Sequence, residues 1–154
     1  MPVQKLNLVI NKLESYIENH NVSNSKISKS NIGWHVDHSF KVINKVVETL
    51  QASEPKQYRD NFSVLGKIFF ALGFFPRGKA KAPKYVKPPE IILKEDLINQ
   101  LQQARENIKT IETLDKNAFF KHPLFGNINK KRVCRFLEVH SNHHLKIMDA
   151  IMIK

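Results

Sequence analysis

NKKRVCRFLEVHSNHHLKIMDAI, residues 129–151, has the clearest helical pattern in the chain. Its apolar residues recur every three or four positions, as they do on one face of an α-helix. They are Val133, Phe136, Leu137, Leu145, Ile147 and Ile151. Asn129, which follows Gly126, is a residue type that caps helix N-termini. The stretch therefore predicts a long amphipathic helix with one face turned towards a core.

Four other segments carry a similar periodicity, and strand signals are almost absent. These segments are residues 3–19, 32–51, 59–72 and the stretch from just after Pro89 to about Leu114. Residues 21–31 are rich in Ser and Asn and predict a loop that offers several N-caps. The segment 59–72 is short and stops near Gly73, so it adds a minor helix to four long ones. The pattern predicts an all-α fold, a four-helix bundle with an additional short helix and a crossover loop.

The composition of the 154 residues indicates a single domain, residues 1–154. Apolar residues make up 42% and charged residues 25%, which excludes disorder for most of the chain. The lone Cys134 cannot form an internal disulfide, and a free thiol suits a reducing cytosol. The longest apolar stretch, 62–75, contains Lys67 and is too short to span a bilayer, and the N-terminus has no signal core. We expect a cytoplasmic protein with no membrane partner.

The seven histidines are the most informative residues, and two of them lie four positions apart in the last predicted helix. His140 and His144 share one face, one turn apart, so both imidazoles could chelate one metal ion. They replace apolar residues on the face that meets the core, where an unsatisfied polar group costs about 1–3 kcal/mol. A shared metal ion would satisfy both rings. Hydrogen bonds to the backbone or to carboxylates, or a wet end of the bundle, would satisfy them as well.

A third nitrogen could come from the start of the second predicted helix, where His35 and His38 stand. Both lie at the edge of the apolar arc, so periodicity does not decide which of them turns inward. Three nitrogens leave a fourth position for water or substrate, the arrangement of catalytic rather than structural zinc. His143, Asp37 and Glu138 are nearby in sequence as candidate general bases, and the pattern does not rank them.

Between Asn61 and Pro89 the chain has no acidic residue and six cations, which we call the basic crossover. The cations are Lys67, Arg77, Lys79, Lys81, Lys84 and Lys87. In a chain of net charge +11, they predict an anion-attracting rim near the metal, suited to a carboxylate, phosphate or acidic thiol. The candidate substrate-binding residues are Arg77, Lys79, Lys81 and Lys84. A solvated connection is the alternative, and nucleic-acid binding is not expected because no nucleic-acid motif accompanies the lysines.

Four motifs, in this order, resemble those of the DinB-like superfamily, also called DinB/YfiT-like metalloenzymes. They are WHVDHS (34–39), PRGKAKAPK (76–84), HPLFG (122–126) and HSNHHL (140–145), and the resemblance covers roughly residues 3–152. The sequence looks closest to an uncharacterised branch that carries an HP-x-FG loop before an H-x-x-HH helix. The resemblance implies a four-helix bundle of up-down-down-up connectivity.

The resemblance also implies that His38, His140 and His144 bind a divalent metal ion, which by ligand type is zinc or nickel. Characterised relatives include thiol-dependent transferases and isomerases, in which the metal activates the sulfur of a low-molecular-weight thiol. We therefore expect a metal-dependent enzyme that acts on a small anionic substrate. The alternative is a non-catalytic bundle whose basic loop binds an anionic partner. The sequence leaves the oligomeric state open, a homodimer included.

Overall fold

A computed structural model of the chain describes residues 2–76 and 83–153, and within these ranges the protein is mostly helical. The described residues form five α-helices and one antiparallel pair of strands. The helices are α1 (Pro2–Ser15), α2 (Ile32–Ala52), α3 (Val64–Leu72), α4 (Lys94–Thr110) and α5 (Lys130–Met152), and the strands are β1 (Phe119–His122) and β2 (Gly126–Asn129). The prediction of a helical protein is confirmed at this level.

The two helices that carry the histidine motifs begin at the residues that the sequence indicates. The side chain of Asn31 accepts a hydrogen bond from the Trp34 N–H at the start of α2. Asn129 does the same for the Arg132 N–H at the start of α5. Each cap satisfies a backbone donor that has no partner within its helix. The caps therefore fix where the helical register of each histidine begins.

The strand pair corrects the prediction of an all-α chain. Strand β1 pairs with β2 from Phe119 opposite Asn129 to His122 opposite Gly126. Each strand has only four residues, and GNIN in β2 lacks the β-branched and aromatic alternation by which strands are recognised. The paired residues are only four to ten positions apart, but their pairing depends on backbone hydrogen bonds, which side-chain periodicity over so short a segment does not reveal. The resulting hairpin presents the HPLFG motif at its turn.

Helix α3 begins at Val64, five residues later than the predicted segment 59–72. Ser63 caps it by accepting a hydrogen bond from the Gly66 N–H. The residues before Ser63 are bound to the hairpin instead: Asn127 donates its backbone N–H to Asn61 Oδ1 and its side-chain amide to the Arg59 carbonyl. This non-local pairing competes with a helix and ties the start of α3 to β2.

The four long helices pack around one continuous apolar core. Helix α2 contacts α4 and α5, and α1 contacts the same two helices. The largest fully buried side chains are Phe40, Leu6, Ile10, Leu13, Ile32, Ile43, Leu50, Leu97, Ile108, Ile128, Leu137 and Met148. Within the described ranges, no helix combines the length and the apolar composition that crossing a membrane requires.

Polar bonds hold α2 against α4, and an arginine holds α3 against α5. Gln100 donates to the buried Asp37 carboxylate at 2.8 Å, and Asn107 donates to Asn44 Oδ1 at 3.0 Å. Arg135 on α5 donates twice to the Phe70 carbonyl, at 2.9 and 2.8 Å, near the C-terminus of α3. A cation at that end is favoured by the helix dipole. These contacts set the positions of the elements that surround the histidines.

Two glycines with positive φ differ in what a side chain added at each would meet. Gly126 has φ +80°, and a Cβ there would stand 2.5 Å from the Asn61 carbonyl oxygen. Gly73 has φ +77°, but its Cβ would meet the flexible end of Arg135 at 2.9 Å. We expect Gly73→Ala to lower the free energy of unfolding by about 1–2 kcal/mol, the cost of a left-handed residue. Gly126→Ala should cost clearly more because backbone must move.

Urea unfolding of both variants, followed by circular dichroism, measures the difference. Equal losses of unfolding free energy in the two variants would show that the hairpin is not packed closely against residues 59–63.

Candidate metal centre

The structure brings His38, His140 and His144 together between α2 and α5. One ring nitrogen of each residue lies within 4.8 Å of the others. The ring centroids of His38 lie 5.1 Å from those of His140 and 4.8 Å from those of His144, and the latter two rings are 4.8 Å apart. The expectation that the i, i+4 pair shares one face is therefore met, and the structure places that face beside His38 of α2. Whether the three residues bind a metal ion stays a prediction.

The donor set fits a divalent ion that favours imidazole. With Zn–N bonds of 2.0–2.1 Å, two nitrogens on one tetrahedral ion stand about 3.4 Å apart, so rotations of the rings would close the site. His140 also carries a buried Nδ1 that has no hydrogen-bond partner among the described residues. Leaving such an atom unsatisfied costs about 1–3 kcal/mol. Three imidazoles that face one another, one of them with an unsatisfied nitrogen, are an arrangement that a metal ion would stabilise.

The backbone fixes the tautomer of His38. Its Nδ1 lies 2.9 Å from the Val86 carbonyl, in the short 3₁₀ turn Lys84–Val86. Because a carbonyl only accepts, Nδ1 carries the hydrogen and the lone pair is left on Nε2. A partner of this kind is typical of metal-bound histidine, since it orients the ring and raises its basicity. The end of the basic crossover thus supports a candidate ligand.

His35 supports His144 in the same way and does not join the three-nitrogen cluster. The two Nδ1 atoms are 2.9 Å apart, and His35 Nε2 lies 3.0 Å from Ser28 Oγ. If His144 Nδ1 donates to His35, then His35 Nε2–H donates to Ser28 and the lone pair of His144 is on Nε2. The choice that periodicity leaves open is therefore resolved geometrically: His38 faces the pair, and His35 holds one member of it.

Burial keeps these imidazoles neutral. Desolvation lowers the pKa of both His140 and His144 well below the usual histidine range, and the neighbouring imidazoles lower it further. Desolvation also lowers the pKa of His38, against the hydrogen bond to Val86, which raises it. A metal ligand must be neutral imidazole, so at pH 7 the rings are in the form that binds an ion.

The three histidines line a cavity of about 770 Å³ that is open to solvent. Apart from its histidines and lysines, its wall is apolar and includes seven aromatic rings: Trp34, Phe69, Phe75, Tyr85, Phe120, Phe125 and Phe136. Trp34 stacks on His38, with centroids 5.1 Å apart. Among the described residues that line the cavity, no side chain is acidic, and the cations are Lys45 and Lys121, both exposed. The site can take a ligand with an apolar body and negative charge.

Of the three candidate bases, only His143 lines this cavity. Its Nδ1 lies 3.1 Å from the Phe75 carbonyl. Asp37 is buried against Lys41 at 2.7 Å, and Glu138 pairs with Arg135 at 3.3 Å. Neither carboxylate is on the cavity wall, so both belong to helix contacts.

Cys134 has no part in this wall. The thiol is buried in the core, and desolvation raises its pKa to about 11. A thiol protonated at neutral pH is a poor nucleophile, so the residue serves packing.

Only part of the predicted basic rim lies within the described residues. Arg77, Lys79 and Lys81 lie outside the described residues, and Lys84 is exposed and does not line the cavity. Instead, Lys45 and Lys121 line the cavity, and neither was among the candidate substrate-binding residues. Lys45 stands seven residues after His38 on α2, a spacing that returns to the same helix face, so the sequence did contain a signal for it. Lys121 could be found only from the strand pairing.

A scan against protein-family models finds no match, and searches of curated proteins and of solved structures find no significant match. The resemblance in the four motifs therefore remains an expectation. What can be concluded about this site rests on its geometry.

Alanine variants separate the candidate ligands from their partner. Replacing His38, His140 or His144 by Ala removes a nitrogen and should reduce zinc affinity by well over 100-fold, while His35→Ala removes only a partner and should cost about 10- to 100-fold. Competition with a chromophoric chelator gives the affinities, and circular dichroism checks that helix content is kept. A loss in His35→Ala as large as that in His38→Ala would overturn the assignment.

Proposed function

We propose that the chain is a metal-dependent enzyme of the DinB-like type, with a divalent ion, zinc or nickel, held by His38, His140 and His144. The observation that carries the proposal is the meeting of three neutral imidazoles on the wall of a large aromatic cavity. In this proposal the four long helices form an up-down-down-up bundle. The bundle core would fold without the ion, in contrast to a zinc finger.

His38, His140 and His144 would hold the ion with three neutral nitrogens, and all three residues line the cavity. When bound there, a divalent ion supplies Lewis acidity to a water or thiol ligand. Val86 and His35 keep the rings of His38 and His144 in orientation. His143, the candidate base on the cavity wall, is placed to move a proton. A substrate seated against the apolar part of the wall would displace water from the reacting groups, which would strengthen electrostatic interactions there.

We propose a small anionic substrate, with a low-molecular-weight thiol as the co-substrate that the resemblance implies. Lys45 and Lys121 support this choice, because both line the cavity and no acidic side chain accompanies them among its described lining residues. The net charge of +11 adds a long-range attraction for anions. The aromatic wall favours a substrate with an apolar part. The basic crossover would add to the attraction from outside the cavity.

Neutralising the cavity lysines tests the substrate charge. The double variant Lys45→Gln/Lys121→Gln should bind carboxylates, phosphates or acidic thiols about tenfold more weakly, given about 0.2–1 kcal/mol for each exposed charge. Lys5→Gln/Lys12→Gln on α1 is the matched control, since it removes the same charge away from the cavity. Calorimetric titration of zinc-loaded protein at two salt concentrations provides the affinities.

If both double variants bind a panel of such anions as the wild type does, the cavity is not an anion site. A further variant with Arg77, Lys79, Lys81 and Lys84 replaced by Gln shows what the basic crossover adds. Metal content should stay the same in every one of these variants. Anion binding that follows net charge alone, without metal, would favour the non-catalytic bundle.

A further inference from the structure

His122 lies at the end of β1, at the turn of the hairpin, and lines the same cavity as the three-histidine cluster. Its Nδ1 accepts two backbone hydrogen bonds, from the Leu124 N–H at 3.0 Å and from the Phe125 N–H at 3.2 Å. Both groups can only donate, so Nδ1 must present its lone pair. In a neutral ring the single hydrogen is then on Nε2.

The hairpin also keeps this ring neutral and in place. A second proton would have to go onto Nδ1, which would break both backbone bonds, and burial already lowers the pKa of His122 to about 4. The ring stacks on Phe125 with centroids 4.4 Å apart and an angle of 11°. It meets Phe136 edge-on at 5.4 Å. Its orientation is therefore set by packing on two sides.

The Nε2–H of His122 is left available for a ligand. Among the described residues, Nε2 of His122 has no hydrogen-bond partner. This nitrogen is not fully buried either. The ring is thus a fixed donor on a wall that is otherwise mostly apolar. On an apolar wall a donor with a fixed orientation selects for ligands that carry a matching acceptor.

We propose that His122 is a substrate-binding residue whose Nε2–H donates a hydrogen bond to an acceptor oxygen of a substrate with an apolar body. The inference rests on the proposed function in taking this cavity as the substrate site, but it does not require a bound metal ion. It narrows the substrate to molecules with a carbonyl, carboxylate or phosphoryl oxygen attached to an apolar group. It also excludes His122 as a general base, because its only lone pair is used by the hairpin.

The premise is tested on the wild-type protein by ¹⁵N NMR of the histidine rings. We expect Nε2 of His122 to carry the hydrogen, Nδ1 to carry none, and the ring not to titrate between about pH 5 and 8, the range in which an ordinary histidine changes charge. Protonation at Nδ1, or titration in this range, would overturn the proposal. No variant needs to fold for this result.

Ligand selection is tested with acetophenone and α-methylstyrene, which have nearly the same shape and differ in the acceptor oxygen. The wild type should bind acetophenone about fivefold more tightly, the contribution of one net hydrogen bond. His122→Phe keeps an aromatic ring but has no donor, so it should lose the preference. His122→Asn keeps an acceptor for the backbone and an N–H donor, so it should retain part of it.

Both probes are titrated by NMR with zinc-loaded and with metal-free protein, and zinc is measured in each sample. A preference that survives His122→Phe, or that is absent in the wild type, overturns the donor assignment. Failure of both probes to bind overturns the apolar-body assignment. A His122-dependent preference in a protein that takes up neither zinc nor nickel would leave this inference standing and refute the proposed metal enzyme, so the two failures can be told apart.

Discussion

The need to satisfy buried imidazoles governs how the irregular parts of this protein are arranged. A helical core accommodates polar rings only if their nitrogens find partners. His38 takes the Val86 carbonyl, which docks the end of the basic crossover against α2. His35 takes His144 on one side and Ser28 on the other, which draws the loop before α2 over the site. The histidines thus bind segments outside the long helices, and at Val86 this bond adds to the burial of the side chain in the apolar core.

The hydrogen bond that Nδ1 makes divides the imidazoles of the cavity into two kinds. His38 donates from Nδ1 to a carbonyl, so its Nε2 presents a lone pair suited to a metal ion. His122 accepts at Nδ1 from two backbone N–H groups, so its Nε2 presents a hydrogen suited to an acceptor oxygen. Histidine therefore presents a lone pair at one place on the wall and a hydrogen at another. The backbone group that Nδ1 contacts, a carbonyl or an N–H, decides which of the two Nε2 presents.

The sequence was informative where structure depends on local spacing. The i, i+4 pair His140 and His144 follows from helical periodicity and the cap Asn129 from its residue type, and the structure has both as expected. The hairpin was not foreseen, because its four-residue strands show little side-chain alternation and because the bond from Asn127 to Asn61 joins residues distant in sequence.

Periodicity alone did not decide between His35 and His38, because this choice also depends on contacts with residues distant in sequence. Their partners, Ser28, Val86 and His144, come from three separate parts of the chain, so only the folded structure brings them together. The motif resemblance favoured His38, and the geometry places that residue in the cluster.

The measurement that most directly tests the central claim is elemental analysis of protein purified without a histidine tag and without a nickel column. The account predicts about one zinc or nickel ion per chain, held by three nitrogens with an open fourth position. X-ray absorption at the metal edge would then show imidazole ligands. Protein that contains no divalent metal, and whose histidine NMR signals do not change when zinc is added, would contradict it.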